Sequence, residues 1–377
     1  MSARTSLAAL VIAATLPSVA LADPIVIGFS APDTGPAATA ALWQRWGVSL
    51  ALDEINQSGG LLGQKVEILE EDNACNPSQA VNVANKLVEA KVAAIIGAHC
   101  SSATLATMPI INDAKIPMVE GVATSPKITE LSGVGGNKWM FRIGPSDQDM
   151  MVGLGRYLKA HTNFRKVAVV AEDSDFGRGG VTAFAEVAKA DGISVVSTDY
   201  YPQNQPDFTS ILTRVQQLHP DAIALFQLGG DQINFLRNAM QMGLTLPYTG
   251  RVELGGKNTQ IIEAGGMEGS VGAWAYSTLI DSPINKKFVA ETEARYHSIP
   301  YLQTWAGYDS LRLIAQAIKE AGSTEPAKIR DALQHITFVN AMGRTVKFDD
   351  HNQAGTTIVI NTVKDRTVKV AEVLQLR

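Results

Sequence analysis

Short apolar runs alternate with amphipathic stretches along most of the chain. Residues 92–97 form an apolar run that ends in glycine, which is typical of a buried parallel strand. Residues Ala38–Gln57 instead carry apolar side chains at helical spacing, which predicts a long helix. Such alternation predicts parallel sheets with helices on both faces. It starts again after Ile143, so we expect an α/β fold with two similar lobes.

Some predicted elements carry local complications. Pro109 lies inside the helix expected to begin near Ser101, where a proline kinks or divides a helix. A later helix is predicted at residues 179–189. The preceding Asp173 and Asp175 are expected in a solvated turn, with the rim of a pocket as the alternative. Residues 343–376 switch to strand-like alternation and are expected to form a hairpin-type cap on one lobe.

Two neighbouring predicted strands are followed by small hydroxyl residues. Ser101 follows the first strand and opens a helix, while Thr124 and Ser125 follow the next strand and precede Pro126. A serine hydroxyl at a helix start can bond a backbone N–H or a ligand. Free N–H groups and the helix dipole also favour anions there. The pattern therefore indicates an anion-binding crevice, with ordinary helix caps as the alternative.

The first residues form a separate segment of the chain. Arg4 supplies a positive start, residues 7–16 are apolar, and Ala20-Leu21-Ala22 fits a signal-peptide cleavage site. We therefore expect residues 1–22 to be a signal peptide and the mature chain to begin near Asp23. No later stretch reaches about 18 apolar residues, so we expect a protein that is not embedded in a membrane.

Composition narrows the possible function classes. The chain has 377 residues, enough for two domains, and its net charge of −5 provides no basic surface for nucleic acid. The histidines lack metal-ligand spacing, and the patterns G-x-S-x-G, H-E-x-x-H and C-x-x-C are absent. We therefore expect neither a catalytic site nor a metal or cofactor.

The two cysteines, Cys75 and Cys100, favour one disulfide in an exported protein, with a catalytic thiol as the disfavoured alternative.

Several motifs, taken together, carry a resemblance. They are D-N-A-C-N-P-S-Q-A-V at residues 72–81, C-S-S at 100–102 and A-T-S-P at 123–126, with T-G-P at 34–36 and D-E-I-N at 53–56. The chain resembles the leucine/isoleucine/valine-binding protein family, the periplasmic substrate-binding proteins of branched-chain amino-acid-type ABC importers. The resemblance covers essentially the whole mature chain.

This resemblance implies an architecture. The family has a type I periplasmic-binding-protein fold, in which two Rossmann-like lobes are joined by a three-segment hinge. We place the crossings near Ile143, Gly272 and Thr345. The N-terminal lobe would then comprise residues 23–143 and 273–345, and the C-terminal lobe residues 144–272 and 346–377. A disulfide between Cys75 and Cys100 is also implied.

The resemblance further implies roles for individual residues. Ser101 and Thr124 would hold the carboxylate of a ligand, with help from backbone groups of Val122 and Thr124. Phe176, which precedes Gly177, would close over the ligand. The expected ligand-binding residues are His99, Ser101, Ser102, Val122, Ala123, Thr124, Phe176 and Glu253.

The chain departs from the family pattern where an amino group would be held. The ammonium-binding Glu of the family falls near Arg251 and Val252, so Glu253 matches only after a shift of one residue. The Tyr that assists it falls near Leu228 or Gly229, and neither supplies a hydroxyl. Arg251 would instead face a second acid or a keto group.

Two other side chains are open to more than one interpretation. His99 stands where the family often has Leu, and either enters the pocket or is a capped or surface residue. Trp43 is either core or a pocket wall that stacks on an aromatic ligand.

These observations together predict a function. We expect a monomeric periplasmic protein that captures an amino acid or related small carboxylate between its lobes and delivers it to an ABC transporter permease. The alternatives are a binder of aromatic or keto acids, a ligand-sensing subunit for a membrane signalling protein, and, disfavoured by the missing motifs, an exported α/β enzyme.

Overall fold

The computed structural model describes residues 23–376, apart from the side chains of Lys257 and Thr356. The expected signal peptide, residues 1–22, therefore lies outside the described residues. Within residues 23–376, every helix is too short or too polar to cross a bilayer.

Strands and helices alternate along the chain. The first half contains β1 (Ile25–Ala31), α1 (Ala38–Gln57), β2 (Val66–Asp72), α2 (Pro77–Glu89), β3 (Ile95–Gly97), α3 (Ser101–Ala114), β4 (Met118–Glu120), α4 (Pro126–Glu130), β5 (Met140–Arg142), α5 (Asp147–His161), β6 (Lys166–Glu172) and α6 (Asp175–Ala190). The second half contains β7 (Ser194–Tyr201), α7 (Thr209–Gln217), β8 (Ala222–Phe226), α8 (Gly229–Gln241), β9 (Tyr248–Gly250), a 3-10 helix (Gly256–Asn258), α9 (Thr259–Glu263), β10 (Val271–Trp274), α10 (Pro283–Tyr296), α11 (Leu302–Ala321), α12 (Pro326–His335), β11 (Phe338–Val339), β12 (Thr345–Val346), β13 (Thr356–Lys364) and β14 (Thr367–Leu376).

Two parallel sheets form the centres of the two lobes. The first has the strand order β2-β1-β3-β4-β5 and the second the order β7-β6-β8-β9, and all their paired strands are parallel. The central strands are buried on both faces, which explains their continuous apolar runs. The predicted α/β class with two parallel sheets is confirmed.

The last two strands form the expected hairpin. β13 pairs with β14 and with β10, antiparallel in both cases. Ile358 and Ile360 of β13 belong to the core of the second lobe, together with Met150 and Leu154 of α5. The hairpin is therefore part of the packed second lobe and not a loose tail.

Residues 346–354 contact the first lobe, contrary to their expected place in the second. The ring of Phe348 packs edge to face on Phe141, with 5.1 Å between the ring centroids. The Arg142 guanidinium donates a 2.6 Å hydrogen bond to Gln353 Oε1. The expected boundary at Thr345 is therefore too early, because the chain remains on the first lobe as far as Ala354.

Helix α6 begins earlier than predicted. It starts at Asp175 and not at Gly179, since the Ser174 hydroxyl accepts a hydrogen bond from the N–H of Gly177. The glycines that weaken the helical signal are needed for packing: a Cβ on Gly180 would lie 2.2 Å from the Phe226 ring. The predicted solvated turn is wrong for Asp175, which opens the helix. Helix α3, by contrast, runs through Pro109 without dividing.

Helices α1 and α11 approach each other closely in the first lobe. A Cβ on Gly47 would lie 1.9 Å from the carbonyl oxygen of Thr304, and one on Gly307 would lie 2.2 Å from that of Gln44. Only glycine therefore permits this backbone contact. The contact positions the α1 residues near Trp43 beside the start of α11.

The expected disulfide is present. Cys75 and Cys100 are bonded, with their Cα atoms 5.5 Å apart. Cys100 is also the residue that precedes the first helical residue of α3, so the bond ties the loop after β2 to the start of this helix.

We predict that replacing both cysteines, as in C75S/C100S, lowers the free energy of unfolding by about 3 kcal/mol, because the bond closes a loop between residues 25 apart. Urea denaturation of the ligand-free protein measures this loss. Reduction of the wild type should reproduce it and should leave the double variant unchanged. A loss below about 1 kcal/mol would contradict the structural role.

Candidate ligand-binding site

A cavity of about 150 Å³ lies between the two lobes. In order of magnitude, this is a space that accommodates a molecule such as benzene. Residues of both lobes line it, namely Pro36, Ala37, Thr39, Ala40, Trp43, Cys75, His99, Cys100, Ser101, Ser102, Val122, Ala123, Thr124, Glu172, Ser174, Phe176, Gln203, Gln227, Leu228, Gly229, Gly230, Gln232, Arg251, Glu253, Trp274, Leu302 and Gln303. All eight predicted ligand-binding residues are in this set.

The start of α3 forms one wall of the cavity. Ser101 is buried, and its Oγ accepts a 3.2 Å hydrogen bond from the N–H of Ser125. The two hydroxyl turns predicted from the sequence therefore touch each other. The Ser101 O–H remains a donor, and the N–H groups of the first turn of α3 have no acceptors within their own helix.

Beneath this wall lies Glu120, which the sequence analysis did not identify. Its fully buried carboxylate accepts from four donors: the N–H groups of Val122 (2.6 Å), Ala123 (2.9 Å) and His99 (3.0 Å), and the Thr104 hydroxyl (3.1 Å). The N–H of Val122 is therefore donated inside the protein, and the expectation that backbone groups of Val122 help to hold the ligand stays a prediction. Val122 and Ala123 line the cavity through their other atoms.

Thr124 is linked to the second lobe through Asp147. Its hydroxyl donates a 2.9 Å hydrogen bond to one oxygen of the Asp147 carboxylate, and Arg251 Nη1 lies 2.5 Å from the other oxygen. Asp147 is fully buried and Arg251 is 5% exposed. The Thr124 hydroxyl is therefore donated to the protein, and Arg251 stands beside the turn that contains it.

Arg251 has guanidinium atoms that Asp147 does not use. Its Nε is buried and has no hydrogen-bond partner in the described part of the chain. The guanidinium carbon lies 4.7 Å from the ring centroid of Trp274 and 5.9 Å from that of Phe176. The cation is therefore held between two aromatic rings at the cavity wall, with donor capacity to spare.

His99 lies at the cavity and is also bonded inside the protein. It is 4% exposed, and its Nδ1 lies 2.6 Å from Oε1 of Gln44. Burial lowers the pKa of His99 to about 4. The imidazole is therefore neutral near pH 7, and the interpretation of His99 as a surface residue is wrong.

Residues of both lobes meet at the edge of the cavity. The Ser102 hydroxyl accepts a 3.3 Å hydrogen bond from the N–H of Asp175 at the start of α6. Phe176, the next residue, lines the cavity as expected.

Two further predicted side chains lie at the cavity. Glu253 is half-buried, and its own N–H donates to Gln232 Oε1 at 3.0 Å. Trp43 is both packed and part of the wall, since its ring stacks on Tyr301 with 3.8 Å between centroids.

The second lobe contributes polar groups that the sequence analysis missed. Glu172, Gln227 and Trp274 all line the cavity, and each lies at the carboxyl end of a strand or directly after it. The positions of Glu172 and Gln227 at the ends of predicted strands could have identified them, because ligands in α/β folds bind at the carboxyl ends of strands. The prediction from the sequence covers the strand ends of the first lobe only.

Glu172 is the most buried of the carboxylates that line the cavity, with an exposure of 1%. It accepts hydrogen bonds from the Ser174 hydroxyl at 2.5 Å and the Gln203 amide at 3.1 Å. Burial raises the pKa of Glu172 to about 7. The nearby negative charge of Asp231 also raises this pKa, whereas the hydrogen bonds from Ser174 and Gln203 lower it. Glu172 therefore titrates near physiological pH.

Metal ligation is not indicated for this cavity. In residues 23–376, no cluster of three or more His, Cys, Asp or Glu side chains has a geometry that would hold a metal ion.

Comparison with known proteins decides the family. The profile of the family described as "Periplasmic binding protein" matches residues 24–367. The chain belongs to this family. It is of the leucine/isoleucine/valine-binding type, as the sequence resemblance indicated. The family consists of periplasmic solute-binding proteins of ABC transporters and not of enzymes, so the expectation of a non-enzymatic protein is confirmed.

Relatives and solved structures agree with this assignment. The leucine-, isoleucine-, valine-, threonine- and alanine-binding protein of Pseudomonas aeruginosa is 28% identical over 87% of each chain. The branched-chain amino acid transporter substrate-binding protein of Streptococcus pneumoniae, solved with isoleucine, is 25% identical, with a TM-score of 0.83 over 94% of this chain and all of the other. A Rhodopseudomonas palustris solute-binding protein in complex with benzoate is 20% identical, with a TM-score of 0.84 over 93% of this chain and 96% of that one. The last likeness shows the fold alone. The predicted type I fold is confirmed.

The raised pKa of Glu172 predicts a pH-dependent stability. The folded protein holds a proton there up to about pH 7, whereas the unfolded chain releases it near pH 4.5. The stabilisation that the folded protein gains from the protonated Glu172 is therefore fully present below about pH 4.5 and is lost as the pH rises through 7. We expect the wild type to lose about 3 kcal/mol of unfolding free energy relative to E172Q over this interval.

Urea denaturation of both ligand-free proteins at a series of pH values measures this difference. The variant E263Q, which changes an exposed carboxylate on α9, should follow the wild type. If the difference between the wild type and E172Q does not change with pH, the pKa of Glu172 is not raised.

Proposed function

We propose that this protein captures a small carboxylate-bearing ligand, an amino acid or a related acid, and delivers it to the permease of an ABC importer. One observation carries the proposal: donors from both lobes converge on one small cavity. The first lobe supplies the Ser101 hydroxyl and the first turn of α3, and the second lobe supplies Arg251. Such charge-assisted bonds are the strong ones in a water-poor site.

Capture between lobes follows from the contacts that cross the cleft. The bond between Ser102 and Asp175 joins α3 of the first lobe to α6 of the second. Phe176 covers the cavity from the same helix turn. A ligand that adds bonds to both walls then shifts the population towards the closed form.

The names of the relatives support an importer function. The Pseudomonas protein is described as binding leucine, isoleucine, valine, threonine and alanine, and the Streptococcus protein was solved with isoleucine. An acid of similar size is consistent with a cavity of about 150 Å³.

The remaining expectations complete this proposal. Residues 1–22 direct export to the periplasm, where the mature protein acts as a monomer. We place the first lobe at residues 23–143 and 275–354, and the second at 144–274 and 355–376. The packing of residues 346–354 on the first sheet supports the later boundary.

The first test identifies the ligand and then removes a donor. Protein freed of ligand by unfolding and refolding is screened by thermal shift against amino acids, keto acids and aromatic carboxylates. For the best ligand, we expect S101A to raise the Kd roughly 10- to 100-fold in calorimetric titrations, because a hydrogen bond to a charged group is lost.

A matched control is S132A, which removes another buried serine hydroxyl of the first lobe. That hydroxyl donates to Ile128 O, away from the cavity, so its loss should leave the Kd unchanged. Unchanged binding in S101A would contradict the carboxylate site, and the absence of any binding acid would contradict the proposed function.

Lobe closure generates a second prediction, at Gly179. A Cβ on this residue would lie 3.0 Å from Pro126 Cδ and 3.1 Å from Ser125 Oγ, both of the first lobe. We expect G179L to obstruct closure and to raise the Kd at least about tenfold, while the ligand-free protein keeps its stability. The control A185L adds the same side chain at an exposed position of α6 and should bind normally. Equal affinity of both variants would show that closure does not bring α6 to this distance.

A further inference from the structure

Arg251 is a buried cation in the wall of the cavity. We propose that the ligand carries no ammonium group on the carbon next to its carboxylate, and is therefore a keto acid, a hydroxy acid or an aromatic acid. The inference rests on the proposed function of the cavity and specifies its ligand class.

The first step of the argument is the place of the cation. Thr124 and Arg251 bond to the two oxygens of one carboxylate, that of Asp147. Arg251 is therefore a close neighbour of the turns that hold Ser101 and Thr124. A carboxylate bound by Ser101 and the start of α3 would have the guanidinium next to it, so the group on its α-carbon also lies near Arg251.

The second step concerns what an ammonium group would need there. Three N–H bonds require acceptors, and the carboxylates behind this wall are already used. Glu120 accepts from four protein donors, and Asp147 accepts from Thr124 and Arg251 and is fully buried. Beside Arg251, an ammonium would meet a like charge, and the carboxylates of Glu120 and Asp147 are already bonded to protein donors, which makes this position unfavourable in a desolvated site.

The third step concerns what Arg251 itself lacks. Its buried Nε has no acceptor among the described residues. A keto or hydroxyl oxygen, or the second oxygen of a carboxylate, would supply one and remove the cost of the unpaired donor. An α-ammonium offers only donors and leaves that cost in place.

The walls beside Arg251 favour flat ligands. Phe176 and Trp274 flank the guanidinium, and Trp43 stands on the first-lobe wall. Aromatic side chains of this kind stack on planar groups. A planar keto acid or an aromatic acid therefore fits these walls and the donor set together.

Two carboxylates that line the cavity define the competing outcome. Glu172 and Glu253 both line the cavity. An ammonium group bound to either carboxylate would have a compensating negative charge and would not be repelled by Arg251. The bonds from Ser174 and Gln203 both go to Glu172 Oε1, whereas its buried Oε2 has no partner among the described residues. An amine bound at Oε2 is therefore the outcome that would overturn the inference.

The test uses matched pairs of ligands on the refolded, ligand-free wild type. Leucine is compared with 4-methyl-2-oxopentanoate, and phenylalanine with phenylpyruvate, with benzoate as a third acid, by calorimetric titration. We expect at least one acid without the amine to bind roughly 100-fold more tightly than its amino counterpart. If the amino acids bind equally well or better, the inference is overturned and the proposed function stands. If no acid binds, the proposed function itself fails.

A paired variant tests whether Arg251 is responsible. D147N/R251Q removes both charges together, so no buried charge is left unpaired. We expect the preference against the amino acid to fall at least tenfold, with native circular dichroism retained. The control R214Q/D199N removes an ion pair on the surface of the second lobe and should keep the wild-type preference. An unchanged preference in folded D147N/R251Q would overturn the role of Arg251, and if this variant does not fold, the wild-type ligand pairs still decide the ligand class.

Discussion

The buried carboxylate of Glu120 holds together the two turns on which the cavity depends. It accepts from the backbone on both sides, at His99 before α3 and at Val122 and Ala123 after β4, and from Thr104 within α3. Each of these donors would be costly to bury without a partner. The carboxylate thereby brings the ends of two neighbouring strands into contact, and Ser101 and Ser125 meet as a result. The disulfide at Cys100 secures the same turn from the other side.

The electrostatics of the cleft continue this arrangement across the lobes. Asp147 opens α5, and its side chain joins Thr124 of the first lobe to Arg251 of the second. A cation and an anion are buried together there, which is tolerable because both are hydrogen-bonded. The neutral His99 and the partly titrating Glu172 complete a cavity whose charged groups are mostly paired inside the protein. Selectivity then depends on the few donors and acceptors that are left over.

The fold could be predicted further than the site. Alternating apolar runs correctly indicated two parallel sheets, and the tail pattern correctly indicated a hairpin. The start of α6 was misplaced because Gly177, Gly179 and Gly180 weaken the local helical signal, although packing requires small residues there. The boundary after Thr345 was misplaced for a related reason: the bond between Arg142 and Gln353 joins residues far apart in the chain.

The sequence, through its strand ends and the family resemblance that its motifs carry, indicated the class of the protein, the disulfide and six of the first-lobe residues that line the cavity. Only the tertiary structure decided how each group is used. The N–H groups of Val122 and Ala123 bond to Glu120, the hydroxyl of Thr124 bonds to Asp147, and Arg251 lies beside them. The physical reason is that hydrogen-bond capacity is limited and buried groups must be paired. Which donors remain for a ligand therefore depends on partners that are distant in sequence and adjacent only in the folded chain.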